Sequence, residues 1–292
     1  MKNYLLGIIL LILTVIGLTV LNLPDSNLHI IACDVGQGDA ILITFKTTQI
    51  LTDGGLANGK VINCLTKYMP FWDKEIEIVV NTHPQLDHYG GLIEIFKKYK
   101  VDTFIANALN SSALEYQVLT REVGGQGTKV VSPHSGMVVR LGLLSYDIFW
   151  PTTEFISFES GQELTNKLNT FNSKRDPNDF SIQAVVSFGD FSALLTGDMG
   201  KALANGVIPN LPIKTIDYIK IPHHGSKYGI TQNYLDMIDP GVAVISVGKK
   251  NSYGHPTSEI LNLLKDRGIK TYRTDQDGDI EVVTDGKSFW VK

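Results

Sequence analysis

The sequence predicts an α/β protein whose sheets are covered by helices. From residue 28 onward, short β-prone segments alternate with tight turns, a pattern typical of strands joined by short connections. Amphipathic segments lie between them, as at 92–99, where apolar side chains recur with helical spacing. The 292 residues, 43% of them apolar, suffice for one large domain or two small ones with a substantial core. The sequence shows no internal repeat, so we expect the sheets and helices to form one sandwich domain.

The N-terminus differs from the rest of the chain. Residues 4–23 (YLLGIILLILTVIGLTVLNL) carry no charge and follow Lys2. A helix of about twenty residues spans about 30 Å, the thickness of the hydrocarbon core of a bilayer. We therefore expect an uncleaved membrane anchor and linker over 1–27. The alternatives are a buried helix and a cleaved signal peptide, although no good small-x-small cleavage site follows the run.

The charge at the start of the chain predicts an orientation. Lys2 favours a cytoplasmic N-terminus under the positive-inside rule. The predicted domain at 28–292 would then be membrane-anchored and extracytoplasmic, or secreted if the segment before it is cleaved.

Runs of apolar and turn-forming residues predict the elements of the domain. In the first part we expect strands at 28–35, 40–45, 47–55 and 76–83 and helices at 58–69 and 90–100. In the middle we expect strands at 101–108, 128–133 and 137–151, a helix at 112–124 and a surface loop at 156–178. In the last part we expect a hairpin at 180–198 with Gly189-Asp190 at its tip, a helix after it, strands at 216–226 and 242–248, helices at 231–238 and 257–268, and closing strands in 271–292.

The two cysteines allow two interpretations. Cys33 and Cys64 could pair if the domain is exported. Cys33 lies in a strand-like run and Cys64 in a helix-like one, which favours two buried free thiols. The spacing of the cysteines does not fit a cysteine metal site.

The block THPQLDH places His83, Asp87 and His88 directly after a buried strand. A single histidine is more often a hydrogen-bonded structural residue than a metal ligand. Two imidazoles and a carboxylate, however, do not stabilise an apolar core. Burying them without polar partners would cost several kcal/mol of folding free energy. The pair Gly90-Gly91 lets the next helix start close to the strand end. The block therefore predicts a metal site.

Asp198 follows an apolar strand in the segment LLTGD. A carboxylate in this position can bridge two divalent ions about 3.5–4 Å apart. The alternative is that Asp198 caps the following helix. Together with the histidine block, it is predicted as a metal ligand.

The pair His223-His224 ends the strand-like segment IDYIKIPHH. On a strand, His223 shares the face of Ile219 and Ile221, which is the face expected to be buried. His223 is therefore predicted as a metal ligand; if the strand twists or ends before the pair, His224 is the alternative. His224 is predicted to contact substrate or act in catalysis, together with Asp87.

Further polar residues adjoin these positions. Asp53 follows an apolar strand and could orient a metal-bound imidazole, although a turn aspartate is the alternative. Ser226 could hydrogen-bond an oxyanion or simply form a turn, and His255 lies at another strand-to-loop junction. Lys227 and Lys220 are candidates for the neighbourhood of a leaving group. Gln85 and His255 are predicted to contact substrate or the metal ligands.

The motifs taken together resemble a known family. They are DVGQGDAILI, LTDGG, THPQLDHYGGL, NDFSIQAVVSFGDFSALLTGD, IPHHGS and SVGKKNSYGHP. In this order, from residue 28 to about 283, they resemble the metallo-β-lactamase fold. More narrowly, they are similar to the extracellular hydrolase domain of ComEC-type DNA-uptake (competence) channels and its free-standing relatives.

The resemblance implies a four-layer αββα sandwich with a one- or two-metal site, usually zinc, at the sheet edges. It also implies a metal-bound hydroxide that attacks an ester, amide-like or phosphodiester centre. The family motif is HxHxDH, and here Gln85 stands where the family has its second histidine or an aspartate. His134 is no convincing counterpart of the family's next ligand. We therefore expect one firmly bound Zn²⁺, with Mn²⁺ as the alternative metal, and a second ion that is weak, exchangeable or absent.

Three functions remain open from the sequence. The first is a hydrolase of a phosphodiester, with nucleic acid as one candidate, although the net charge of −4 and the lack of a basic block give that partner little support. The second is a hydrolase of a small or cell-surface ester or lactone. The third is a non-catalytic module with a degenerate metal site. The sequence identifies no protein partner.

Overall fold

The computed structural model describes residues 2–21, 24–163, 165–201, 203, 211–212 and 215–292. Of the N-terminal helix, the described side chains are those of residues 4–5, 7–14 and 17. Most of the helix predicted after residue 198 lies outside the described residues.

Two mixed sheets form the centre of the domain. The strands are β1 Leu28–Ala32, β2 Ile41–Phe45, β3 Thr48–Thr52, β4 Glu75–Asn81, β5 Lys100–Ala106, β6 Lys129–Val131, β7 Met137–Leu141, β8 Leu144–Trp150, β9 Gln183–Phe188, β10 Phe191–Leu195, β11 Tyr218–Lys220, β12 Val242–Ile245, β13 Lys270–Arg273, β14 Ile280–Thr284 and β15 Phe289–Val291. The first sheet has the order β15-β14-β1-β2-β3-β4-β5-β6, and the second has the order β13-β12-β11-β10-β9-β8-β7. Strands β3 to β6 run parallel, as do β10 to β13. The remaining neighbours are antiparallel.

Helices cover the outer face of each sheet. The described helices are α1 Lys2–Leu21, α2 Lys60–Tyr68, α3 Leu86–Tyr89, α4 Leu92–Lys98, α5 Leu114–Gln126, α6 Thr153–Ser160, α7 Gln232–Ile238, α8 Ser258–Asp266 and α9 Thr274–Asp277, with 3₁₀ turns at Pro177–Phe180 and Pro222–Gly225. One apolar cluster lies between the sheets, a second joins the first sheet to α2, α4 and α5, and a third joins the second sheet to α7 and α8. The predicted αββα layering is therefore present.

Strand β2 shows why the apolar runs are continuous. Its five residues ILITF are all buried. Ile41 and Ile43 face the core between the sheets, while Leu42 faces the outer helices. Because successive side chains of a strand point to opposite faces, a strand covered on both faces is apolar throughout.

One predicted loop differs in part from the structure, and one predicted hairpin is present. The loop predicted at 156–178 begins with part of α6, whose N-cap is Thr152; the Thr152 hydroxyl accepts from the backbone N–H of Phe155. The hairpin predicted at 180–198 is confirmed, since β9 and β10 pair antiparallel around Gly189-Asp190.

The predicted membrane anchor receives no support from the fold. Counting only residues whose placement is described, side chains included, we find no helix long and apolar enough to cross a membrane. The domain boundary at residue 28 stays a prediction.

Cys33 and Cys64 form a disulfide, so the prediction of two free thiols was wrong. Cys33 follows β1 and Cys64 lies on α2, much as the local patterns indicated. Both side chains point into the layer between the first sheet and its helices, where their Cα atoms are 5.9 Å apart. Local sequence patterns do not contain this contact, which depends on how α2 packs over the sheet.

Candidate metal centre

The functional side chains lie just beyond the carboxyl ends of strands from both sheets. Asp53 follows β3 and His83 follows β4, and these two strands are parallel neighbours. Asp198 follows β10 and the pair His223-His224 follows β11, again parallel neighbours. Segments that are more than a hundred residues apart in sequence therefore meet at one site.

Asp198 is the centre of the cluster. Its Oδ2 lies 3.2 Å from Nε2 of His88 and 3.2 Å from Nε2 of His224. Asp87 approaches from the rim, with its Oδ2 3.3 Å from the same nitrogen of His224. The His83 ring lies beside the His88 ring, with centroids 4.1 Å apart. The structure thus brings together four of the five predicted metal ligands and adds His224.

The outer nitrogen of each histidine is engaged by a protein group. Nδ1 of His88 lies 2.8 Å from Oδ2 of Asp53, and Nδ1 of His224 lies 3.0 Å from the carbonyl of Ser246. Nδ1 of His83 lies 3.0 Å from the Thr82 hydroxyl. A carboxylate and a carbonyl can only accept, so in neutral rings they assign the proton to Nδ1 of His88 and His224 and leave each Nε2 as a lone-pair donor. The Thr82 hydroxyl donates to Asp53, so it can accept from Nδ1 of His83 in the same way.

The donor set fits a divalent metal ion. The Nε2 atoms of His83, His88 and His224 are buried and make no aligned hydrogen bond to the described residues. Buried polar atoms without partners are rare in proteins and need an explanation. Three such nitrogens around the Asp198 carboxylate provide the imidazole and carboxylate ligands that zinc binds.

Asp53 supports the cluster from behind. It is fully buried and follows the strand in a left-handed conformation with φ 60°. Its carboxylate accepts hydrogen bonds from the backbone N–H and the hydroxyl of Thr82, at 2.8 and 2.7 Å, and from the side chain of Asn81, at 3.1 Å. Asp53 also faces His88, which is the position required of a residue that orients a metal-binding imidazole.

Charges in the cluster depend on one another. Burial opposes the charged form of His88, yet the carboxylates of Asp198 and Asp53 raise its pKa well above its usual value. Burial likewise opposes charge on His224, whose pKa Asp198 nevertheless raises. Burial also opposes charge on Asp198, but the two imidazoles lower its pKa. Without metal, protons on the imidazoles therefore balance the carboxylates, and a divalent cation can take their place.

His83 differs from the other two histidines. Burial, together with repulsion from His88, lowers its pKa to about 3. His83 is therefore a neutral imidazole at any physiological pH, ready to act as a ligand or a hydrogen-bond partner.

The predicted orientation of His223 and His224 was wrong. Strand β11 ends at Lys220, so the alternation of faces does not reach the pair. His223 and His224 both adopt left-handed conformations, with φ 52° and 53°, in a turn that carries His224 inward. His224 is buried, whereas His223 is only half-buried and, within the described part of the chain, belongs to no group of three residues able to hold a metal.

The other predicted site residues lie outside the candidate ligand groups of the described residues. Gln85 is half-buried at the start of α3. Ser226 forms a turn, since its hydroxyl accepts from the backbone N–H of Tyr228 at 3.2 Å. Lys227 is exposed, with its ammonium over the Tyr228 ring. His255 packs beside His223, with ring centroids 5.8 Å apart.

Two buried residues were missed or misplaced by sequence reasoning. Asp39, which is not among the predicted site residues, is 2% exposed and contacts both His224 and Lys220. Lys220, expected near a leaving group, is itself buried against Asp39 and Asp198. The signal for Asp39 was its motif, GQGDA. Gly38 has φ 117°, and a Cβ there would lie 2.0 Å from the Asp87 carbonyl, so the motif is shaped to pass close to α3.

A cluster of histidines and aspartates at the strand ends of an αββα sandwich is typical of a metallohydrolase. Residues 33–249 match the family model of the metallo-beta-lactamase superfamily. The chain therefore belongs to this superfamily.

More narrowly, the chain is similar to competence proteins, which confirms the ComEC-like resemblance. It is 24% identical over 265 residues to ComE operon protein 3 of Bacillus subtilis, a match that covers 85% of this chain and 32% of the relative. It is 26% identical to Recombination protein 2 of Haemophilus influenzae, covering 88% of this chain and 29% of the relative. The chain thus spans about a third of the length of these two proteins.

Solved structures show the same fold. CmlA, a diiron β-hydroxylase from Streptomyces venezuelae, superposes with a TM-score of 0.52 at 14% identity, covering 86% of this chain and 53% of that one. The metallo-beta-lactamase fold protein YhfI from Bacillus subtilis superposes with a TM-score of 0.51 at 9% identity, covering 84% of this chain and 96% of that one. At these identities the likeness concerns the fold alone.

Proposed function

We propose that this protein is a metal-dependent hydrolase that acts on a phosphodiester, with one firmly held Zn²⁺. The observation that supports this most is the convergence of three buried, unpartnered Nε2 atoms on the Asp198 carboxylate. Mn²⁺ is the alternative metal. Belonging to a hydrolase superfamily supports the class of reaction.

The residues of the cluster would have different roles in metal binding and in catalysis. Asp87, His88, Asp198 and His224 would hold the ion. A divalent ion bound there would activate water for attack and polarise the scissile ester. Asp87 is the most accessible of the four, with 24% of its side chain exposed, so it is placed to exchange protons with water at the rim.

His83 would have a different part. Its Nε2 faces the cluster, but Gln85 leaves the ligand set around it incomplete. As a neutral imidazole it would hydrogen-bond the substrate or position the attacking water.

The surroundings of the site support a phosphodiester substrate. A chain of rings leads outward from His224 through His223 and His255 to the exposed Tyr253. Lys227 lies in the turn that follows the histidine pair, and Lys249 and Lys250 lie in the loop that carries Tyr253. Exposed aromatic and basic side chains beside a hydrolytic site suit a nucleotide-containing substrate.

The similarity to competence proteins also favours nucleic acid as the phosphodiester. The net charge of −4 favours the second candidate, a hydrolase of a small or cell-surface ester or lactone, because a broad basic track for a polyanion is missing from the sequence. The third candidate, a non-catalytic module, is motivated by Gln85 and by the lack of a convincing counterpart of the family's next histidine ligand.

A substrate panel decides among the three. The purified full chain would be assayed against bis-p-nitrophenyl phosphate, single-stranded DNA and a set of lactones. Turnover of the phosphodiesters, lost in His224→Ala and retained in the matched control His134→Ala, supports the proposal. Turnover of lactones alone favours the second candidate. Activity of His224→Ala equal to wild type in every assay favours the third.

We also propose that the chain is anchored in the membrane by residues 4–23, with the hydrolase domain outside the cytoplasm. The basis of this proposal is the uncharged apolar run of residues 4–23 after Lys2. The Cys33–Cys64 disulfide supports an oxidising compartment. Protease added to intact cells should digest the domain while cytoplasmic proteins remain undigested. Protection of the domain until lysis would contradict this orientation, and release into the medium would favour a cleaved signal peptide.

A further inference from the structure

Lys220 is a buried cation at the centre of an acidic cluster. It is 1% exposed. Its ammonium contacts the Asp39 carboxylate, donates to the carbonyl of Gly197 at 3.1 Å and lies 3.5 Å from Oδ1 of Asp198. The ammonium therefore has a carboxylate partner on two sides.

The two oxygens of Asp198 therefore face different cations. Oδ2 points to the Nε2 atoms of His88 and His224, where a metal ion would bind. Oδ1 points to Lys220. In a two-metal site this carboxylate would bridge both ions. Here Oδ1 of Asp198 already faces a positive charge, the ammonium of Lys220.

The fully buried charges balance with a single metal. Asp39, Asp53 and Asp198 are each at most 2% exposed and carry three negative charges. The Lys220 ammonium offsets one of them, and one divalent ion offsets the other two. The fourth carboxylate of the cluster, Asp87, has 24% of its side chain exposed and keeps contact with water at the rim. A buried charge left uncompensated is costly, so the protein interior favours this combination.

We propose that Lys220, held by Asp39, takes the charge-neutralising part of a second metal ion, so that the site is complete with one. We build here on the proposal that the cluster binds a metal. Lys220 is a positioning residue, since it acts through Asp198 and does not reach the rim. Gln85 fits the same pattern, because it replaces a ligand on the side of His83 where the second ion would sit.

Metal binding to the full-length purified protein tests this, with metal content measured by mass spectrometry and affinity by calorimetric titration with Zn²⁺ and Mn²⁺. Wild type should hold about one ion per chain. Lys220→Met removes the cation at similar length and should hold about two, because the freed Oδ1 and the uncompensated carboxylates attract a further ion. Lys220→Arg keeps the charge and should stay at about one.

Asp39→Asn supplies the reciprocal change. It removes a carboxylate that contacts Lys220, so the ammonium is left to Asp198 and competes there with the metal. Affinity for the first ion should therefore fall at least about tenfold. The double variant Asp39→Asn/Lys220→Met has two buried carboxylates and no lysine, and it should recover the affinity and the single ion. If Lys220→Met fails to fold, the metal affinities of the Asp39→Asn variant and of the double variant still test the inference.

Two results would overturn the inference. One is a wild type that holds two ions of similar affinity. The other is an Asp39→Asn protein whose metal affinity equals that of wild type, or whose loss the double variant does not recover. Because these measurements use no substrate, they stand apart from the substrate panel. A protein that holds one ion but hydrolyses nothing would sink the proposed function and leave this inference intact.

Discussion

His88 is held between two carboxylates. Its Nδ1 lies 2.8 Å from Oδ2 of Asp53, and its Nε2 lies 3.2 Å from Oδ2 of Asp198. Asp53 thereby fixes the ring and its tautomer, so that Nε2 is presented toward the cluster. The relationship links the end of β3 to the end of β10, and therefore one sheet to the other.

Replacing Asp53 with asparagine should weaken metal binding about 10- to 100-fold. The amide keeps the size of the side chain but cannot stabilise the imidazole as a carboxylate does. Titration with Zn²⁺ in a competing chelator measures the loss. The control is Asp190→Asn, an exposed aspartate at the tip of the β9–β10 hairpin, which should bind like wild type. Equal affinity for Asp53→Asn and the control would refute the orienting role.

The two adjacent histidines should behave differently. His224→Ala should lose most of the bound metal, because Nε2 of His224 lies 3.2 Å from Asp198 and 3.3 Å from Asp87. His223→Ala should retain it, since that side chain is half-buried beside His255. Metal analysis of the two purified variants checks this. If His223→Ala lost the metal and His224→Ala kept it, His223 would be the metal ligand, as the alternation of strand faces predicted.

Removing the metal should destabilise the fold. A ligand present at a thousand times its dissociation constant stabilises the native state by about 4 kcal/mol. Without the ion, the cluster must instead charge buried imidazoles. Treatment with a chelator should lower Tm by several degrees, and added Zn²⁺ should restore it. A Tm unchanged after the metal has demonstrably left would show that the site contributes nothing to stability.

The disulfide should stabilise the domain because it lowers the conformational entropy of the unfolded chain. Its cysteines are 31 residues apart, and closing a loop of that length lowers the free energy of folding by about 3–4 kcal/mol on the loop-entropy account. Reduction should therefore lower Tm, and Cys33→Ser/Cys64→Ser should match the reduced protein. Thiol titration of the denatured, unreduced wild type should find no free thiols. Two free thiols per chain would contradict the pairing.

Local sequence patterns predicted the layers of the fold and much of the cluster. Alternating and continuous apolar runs located β1 to β4, because burial on one or both faces of a sheet is visible in the sequence. The block around His88 could be assigned to a metal site from the sequence as well. Burying histidines and an aspartate after a strand costs folding free energy, which a bound ligand can offset.

The remaining features depend on contacts between distant segments. The turn at His223 and His224 needs two left-handed residues, which a strand pattern does not predict. Asp39 and Lys220 meet only when the loop after β1 reaches the end of β11. The disulfide likewise forms only after α2 packs on the first sheet.

A crystal structure of the zinc-loaded protein with anomalous data at the zinc edge tests the central claim most directly. We predict one strong peak, about 2.0–2.2 Å from Nε2 of His88, Nε2 of His224 and the carboxylate of Asp198, with Asp87 completing the ligand set. A peak held by His223 and His255, or a crystal soaked in zinc with no peak at this cluster, would contradict the metal centre described here.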